Sequence, residues 1–572
     1  MGVITTEKTS CRDCYKCIRH CPVKAIRLNM GHAEIVDERC IKDGQCALIC
    51  PQGAKKIQND RPIVQEYFDQ GEFVVASLAP SFVASFPAVR PDQVVAALKK
   101  LGFNEVRETA EAAEQVAIEH AALLREGREN IIASSCPAVN ALIYIYYPHL
   151  IPYLAPVVSP MIGHARMIRK EFSPRSIRIV FIGPCLAKKA EKNEQEVFGE
   201  VDTVLTFEEI YEWFEEAGIE PAKLSGEPVE VSRTHWARAF PVEGGLLKAT
   251  AMETGILSKD MLALTGIDRC RRFLDGFEKE RSGFRIMEMM SCEGGCIDGP
   301  IIGSKISLFE RRRKIIEYAE QESRSYSENA DRVLLPDFRR DFTVRNVHFP
   351  LPSEEELKRI LTLTGKFTIK DELNCGACGY DACREKAVAV YQGLAEAEMC
   401  IPHMRARAES FSSFLITVTP NGIILIDENL RIVDMNPALR TMLSLQGKVV
   451  IGKTVQDLFD PSPFVGVLRT KKALTKETHY SQYHNLIVKL SVFYLEKSRL
   501  LMGVFVDLTR EREQEKSMEN IREKTLANAQ QVVTNQMMVA QEIAGLLGET
   551  TAETKTLLSK LGKIIRGETV EE

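Results

Sequence analysis

The sequence predicts a multidomain chain in which α+β and α/β units follow one another and a helical tail closes the series. Three observations predict it. At 572 residues the chain exceeds what one hydrophobic core accommodates. Fifteen of its sixteen cysteines fall into spaced groups, and only Cys270 is left over. The texture also shifts from cysteine-rich loops to alternating strands and helices, then to a cysteine-free β-rich stretch, then to continuous helix. These shifts divide the chain at 1–62, 66–345, 346–408, 409–510 and 511–572.

Composition narrows the function classes. The formal net charge is -5 and no long basic stripe occurs, so a nucleic-acid partner is not expected. No apolar run reaches membrane-spanning length, and MGVITTEKTS lacks a signal-peptide core; the expectation is a cytoplasmic protein without a membrane partner. In a reducing compartment, sixteen cysteines argue for metal or redox chemistry over disulfides.

Taken in order, Cys11, Cys14, Cys17 and Cys21 followed by Pro22 give C-x2-C-x2-C-x3-C-P, a bacterial ferredoxin spacing. A second run follows at Cys40, Cys46 and Cys50 with Pro51. The pair resembles a two-cluster 4Fe-4S ferredoxin domain. That resemblance implies that Cys11, Cys14, Cys17 and Cys50 hold one cluster, and that Cys40, Cys46 and Cys21 hold most of the other. Asp43 stands where the family has cysteine, so three readings stay open: an Asp-ligated iron, a 3Fe-4S cluster, or a solvated loop residue.

From about residue 70 the pattern is α/β. Phe73–Ala79 reads as a strand, Pro91–Leu101 as a helix stopped by Gly102, and three strand candidates each run into a cysteine. Asn130–Ala133 leads to Cys136, Ile177–Ile182 to Cys185, and Phe284–Met290 to Cys292, with Cys296 four residues on. Ligands collect at the carboxyl ends of parallel strands, so these thiols are expected to converge. Gly294, Gly295 and Gly299 let the turn press close to a bulky inorganic group; a disulfide or a zinc turn is the plainer alternative there.

SSCPAVN (134–140), GPCLAKKAE (183–191) and MMSCEGGCIDGP (289–300) resemble the three signatures of the iron-only (FeFe) hydrogenase catalytic domain, and SLAPSF (77–82) and LGFNEVRET (101–109) are similar to the same family. The resemblance implies that Cys136, Cys185 and Cys292 ligate a 4Fe-4S cube, which Cys296 bridges to a di-iron subcluster carrying CO and cyanide. It places Pro80, Ser81, Lys188 and Met290 around that subcluster, where a lysine suits a buried anionic cyanide. It also marks departures. Ser135 replaces the proton-donating cysteine, and a hydroxyl is a far weaker acid than a thiol. Counting along the chain sets His120 and Leu123 at the relay's carboxylate positions and Ala155 at its hydroxyl position. Val139 replaces a tryptophan, and Gly183 replaces a methionine, which opens space beside the subcluster.

Cys375, Cys378, Cys383 and Cys400 follow a charged stretch (Arg311–Arg345) and are spaced C-x2-C-x4-C-x16-C. The segment resembles a compact 4Fe-4S electron-transfer domain, with four-cysteine zinc as the alternative. Residues 412–509 hold no cysteine, and NGIILIDENLRIVDMNPA with a closing Asp507-Leu508-Thr509 resembles a PAS domain. The expected strands are Gly422–Asp427, Leu430–Asp434, Leu486–Leu495 and Arg499–Leu508, with a helix from Asn436-Pro437. His479 and His484 lie in or beside a strand candidate, which does not suit haem. From Arg510 the chain is helical, with 3-4 spacing from Leu526 to Leu547. Gly548 ends that run, and Thr550 and Glu553 read as a capping box for a last helix. A helix packed on its own PAS domain and a homodimeric coiled coil both remain open.

This layout is similar to that of sensory FeFe hydrogenases. It implies an iron-sulfur sensor of hydrogen or redox state, supplied by a ferredoxin or other redox protein. No kinase, phosphatase or DNA-binding signature occurs, so the output partner is expected to be a separate signalling enzyme, a phosphatase or kinase. Two alternatives stay open: a slow, low-activity catalytic hydrogenase in electron metabolism, and a non-catalytic iron-sulfur electron-transfer or assembly protein lacking the di-iron subcluster.

Overall fold

A computed structural model of the chain describes residues 2–29, 31–228, 235–250, 259–280, 283–320, 335–345, 347, 349–480, 486–547 and 551–566. These fall into two compact units, Met1–His403 and Met404–Glu572.

The first unit opens with two small antiparallel pairs. β1 (Ile4–Thr6) pairs with β4 (Lys55–Ile57), and β2 (Ile26–Asn29) pairs with β3 (His32–Ile35). Short helices, Lys16–His20 and Gln45–Leu48, sit between them and carry Cys17 and Cys46 into the core with Ile18, Ile26 and Leu28.

Seven strands follow: β5 (Val74–Leu78), β6 (Glu105–Glu108), β7 (Ile131–Ile132), β8 (Arg178–Gly183), β9 (Thr203–Thr206), β10 (Met261–Thr265) and β11 (Ile286–Met290). They form two parallel sheets, ordered β6-β5-β8-β9 and β10-β11-β7. Every residue of β5 and β11 is buried, as expected for parallel strands covered on both faces. The expected strand before Cys136 is real but only two residues long. The single convergence point therefore lies where two sheets meet: Cys136 and Cys292 follow strands of one sheet, Cys185 a strand of the other.

The charged stretch from Arg311 begins inside a helix, Leu308–Glu320, and its later part threads back so that Arg339 bridges Val157 and Arg340 is buried. Helix Glu354–Leu363 packs on helix Cys383–Tyr391 through Leu357, Ile360 and Ala387. The segment around Cys375–Cys400 then folds against the N-terminal strands. Leu28 N–H donates to Leu394 O at 3.2 Å, Arg19 donates to Ala377 O at 3.1 Å, and Arg39 to Gln392 Oε1 at 2.9 Å.

The second unit holds a five-stranded antiparallel sheet. Its strands are β12 (Gly422–Asp427), β13 (Ile432–Met435), β14 (Leu474–Tyr480), β15 (Leu486–Leu495) and β16 (Leu500–Asp507), in the order β13-β12-β16-β15-β14. Asn436 caps the helix Pro437–Met442 by accepting from Leu439 N–H at 3.0 Å. Ile424, Leu439, Phe464, Val488 and Phe505 fill the core. Helix Thr509–Leu547 follows, pinned at its first turn by Arg512 on Glu477 at 2.7 Å, and then helix Thr551–Ile565. The side chain of His479, and all of His484, Gly548 and Thr550, lie outside the described residues.

Candidate metal centre

Cys136, Cys185 and Cys292 each follow a strand, and Cys296 opens a short turn. Cys136 precedes helix Pro137–Tyr146, whose proline occupies the first helical position and needs no donor partner there. Cys185 precedes helix Leu186–Glu191, Cys292 follows β11, and Cys296 opens the 3-10 turn Cys296–Asp298. All four line one cavity of about 120 Å³, together with Pro80, Ser81, Ser135, Lys188 and Met290. The sequence-derived set is thus gathered on one wall system.

Gly295 in the glycine turn has a further reason besides the one expected. A Cβ at Gly295, at φ +94°, would stand 2.3 Å from Pro241 O, so that glycine permits close approach of two backbones. Gly183 also differs. The space it leaves holds the ring of Phe181, which a Cβ there would meet at 2.6 Å and which itself lines the cavity.

Burial pushes the Cys185 thiol up to about 11, and the nearby Cys136 adds to the effect. Burial, then Cys296 and Cys185, push Cys292 further, and Cys296 moves the same way. Four thiolates crowded in an apolar cavity repel one another unless cationic charge sits among them. Soft sulfur donors around a space of this size fit an iron-sulfur cube.

Lys188 Nζ bonds Glu191 Oε2 at 2.7 Å, and Glu191 also takes Arg340 at 3.1 Å. Ser81 Oγ and Ser135 Oγ are buried without a hydrogen-bond partner among the described residues. Sequence reasoning missed Glu288, a carboxyl on the cavity wall that accepts from Leu247 N–H at 3.1 Å; burial raises its pKa to about 8. The available signal was one charged residue inside the apolar run Ile286–Met290.

The description "Iron only hydrogenase large subunit, C-terminal domain" matches residues 72–300. Residues 72–300 are an iron-only hydrogenase large-subunit domain. A 4Fe-4S dicluster domain matches 3–51, an Fe-S cluster domain 371–402, and a PAS domain 420–510. The chain is 25% identical over 379 residues to the periplasmic Fe hydrogenase large subunit of Nitratidesulfovibrio vulgaris, covering 54% of this chain and 89% of that protein. It is 24% identical over 367 residues to iron hydrogenase 1 of Clostridium pasteurianum, covering 52% of this chain and 64% of that one. Cytosolic iron-sulfur assembly component 3 of Pongo abelii is 23% identical over 359 residues, with 49% and 73% covered. Among solved structures, an apo form of FeFe-hydrogenase HydA1 from Chlamydomonas reinhardtii aligns at a TM-score of 0.41 and 18% identity, over 50% of this chain and 99% of that one.

In this hydrogenase domain Ser135 lies on the cavity wall, whereas His120, Leu123 and Ala155 do not. His120 is fully buried, its Nδ1 2.7 Å from Val116 O, and burial holds its pKa down to about 4. Val139 and Ala155 are buried apolar side chains, and Leu123 packs against the core. Cys270 is buried in helix Ile267–Asp275, its Sγ 3.6 Å from Met290 O.

At the N-terminus, Cys11, Cys14, Cys17 and Cys50 line a second cavity. Cys21, Cys40 and Cys46 group around Asp43. Cys378 and Cys400 are electrostatic neighbours; Lys366 Nζ stands 3.2 Å from Cys400 Sγ, and Asn374 accepts from Cys383 N–H at 2.8 Å.

Proposed function

We infer that this chain is a sensory FeFe hydrogenase, which reads hydrogen or redox state at a buried metal centre and passes it through the PAS domain to a separate signalling enzyme, a phosphatase or kinase. The observation that carries the reading is Ser135: a buried hydroxyl, unpartnered among the described residues, on the wall of a cavity lined by all four cysteines. Such a site holds metal and moves protons poorly.

Cys136, Cys185 and Cys292 would hold the cube and Cys296 would bridge it to a di-iron group. Pro80, Ser81, Lys188 and Met290 would surround that group, with Lys188 and the Ser81 hydroxyl as donors toward its cyanides. When bound, the di-iron group supplies exchange between hydrogen and protons plus electrons. Electrons would pass through the N-terminal clusters and the one at Cys375, Cys378, Cys383 and Cys400, exchanged with a ferredoxin or similar redox protein. The tail helices offer a second copy an apolar stripe that includes exposed Val532, Val539 and Ile543, which supports a homodimer. Sixteen unpaired thiols suit the reducing cytoplasm as its location.

Infrared spectroscopy after anaerobic maturation tests the centre, because only a di-iron subcluster gives CO and cyanide bands. Bands with slow turnover, and partner binding that follows cluster oxidation state, are expected. Absence of the bands would move the chain to the assembly or electron-transfer class, and fast turnover would make it a working hydrogenase.

A further inference from the structure

Position 43 breaks the cysteine spacing of the second N-terminal run, and its carboxylate has an unusual setting. Lys42 and Asp43 lie on the wall of the cavity that Cys136, Cys185, Cys292 and Cys296 also line, so the loop from Cys40 to Cys46 reaches both thiol groups. The Asp43 carboxylate sits just before helix Gln45–Leu48, where the backbone N–H groups of Gln45 and Gly44 act on it electrostatically. Its Oδ2 is out of solvent and has no hydrogen-bond partner among the described residues.

Cysteines are among the electrostatic neighbours of this carboxylate, Cys292 of the central cavity included, and Asp268 acts on it as well. Asp43 is the foremost charged neighbour of both Cys21 and Cys46, and it also acts on Cys40. The adjacent cation is engaged elsewhere, since Lys42 Nζ pairs with Asp37. A buried carboxylate oxygen without a partner is unfavourable by desolvation, and ionised thiols nearby add repulsion, unless cationic charge sits among them. That placement before the helix leaves Oδ2 idle.

We propose that Asp43 is the fourth protein ligand of the second N-terminal cluster, its Oδ2 taking the iron that Cys21, Cys40 and Cys46 leave uncovered. The cluster is then a four-iron one with a single oxygen-ligated corner. Carboxylate is a harder donor than thiolate, so that corner is the exchangeable iron. The assignment rests on reading residues 3–51 as a two-cluster domain.

The test is electron paramagnetic resonance and iron analysis of the anaerobically prepared full chain, alongside Asp43→Ala, Asp43→Cys and Cys46→Ala. The expected wild type shows no three-iron signal. Asp43→Ala loses one iron per chain and gains such a signal on oxidation, and Asp43→Cys keeps the iron and resists its loss to chelator. A full three-iron signal in the anaerobic wild type, or an Asp43→Ala chain with unchanged iron and spectrum, overturns the assignment. Cys46→Ala is the separate control: if it removes no cluster signal, the two-cluster reading itself fails.

Discussion

Lys188 Nζ lies 2.7 Å from Glu191 Oε2 on the same short helix, and both side chains are buried beside the cysteine cavity. Glu191 is shared with Arg340, which also pairs with Glu194. Lys188 is therefore the replaceable cation of the pair, and Arg340 is the structural one. Lys188→Met is expected to leave folding and the four-iron signal intact while weakening the infrared bands of the di-iron group. Arg340→Met, which leaves Glu191 and Glu194 short of a buried partner, is expected to lower stability by about 3–5 kcal/mol in chemical denaturation.

Ser135→Cys restores a thiol on the cavity wall. If proton supply limits turnover, hydrogen evolution should rise by about 10²-fold, the low end of what a positioned acid contributes. An unchanged rate would count against a proton-limited centre.

Glu108 and Arg238 form a buried two-pronged pair at 2.9–3.1 Å, and Tyr318 donates to the same carboxylate at 3.2 Å. This pair fixes helix Leu308–Glu320 and the segment around residue 238 to the end of β6, next to Thr109 on the cavity wall. Arg238→Met is expected to cost about 3–5 kcal/mol, because Glu108 is left buried and uncompensated. Denaturant midpoints would show it.

Burial holds the His120 pKa down to about 4 in the folded chain, below the ordinary histidine value of 6.5. The unfolded chain thus takes up a proton that the folded one refuses, and stability falls as pH drops from 6.5 toward 4. His120→Gln keeps a donor for Val116 O and removes the titration. It should flatten that limb by up to about 1.4 kcal/mol per pH unit, seen in urea midpoints at two pH values. His164, held down to about 3 by burial, leaves a residual slope.

Gly379, at φ +98°, has Ile18 Cγ2 3.0 Å and Arg19 N 3.2 Å from the place of a Cβ. Gly379→Val is expected to cost about 1–3 kcal/mol through strain and overpacking. Amide exchange should speed up across residues 375–400, with β5 and β8 unaffected.

The central thiols were legible because cysteine after a strand-like run is a local pattern with a fixed spatial meaning in parallel sheets. Four of the five PAS strands were legible for a similar reason, since alternation such as that of Leu486–Leu495 survives in the structure almost residue for residue, whereas β14 was not foreseen. What sequence did not reveal depends on distant pairs. Phe181 filling the room beside Gly183, Glu288 accepting from Leu247, and Pro241 pressing on Gly295 each need a fold already in place. The docking of Leu394 on Leu28 joins segments hundreds of residues apart and leaves no periodic trace.

That docking has a practical corollary. Tyr380, Leu394 and Met399 share one hydrophobic core with Ile18, Ile26 and Leu28. A chain trimmed after residue 345 to isolate the hydrogenase domain would lay bare the greasy side of its own amino-terminal lobe and tend to clump. Shortened versions meant for crystallisation or electrode work should keep everything through His403.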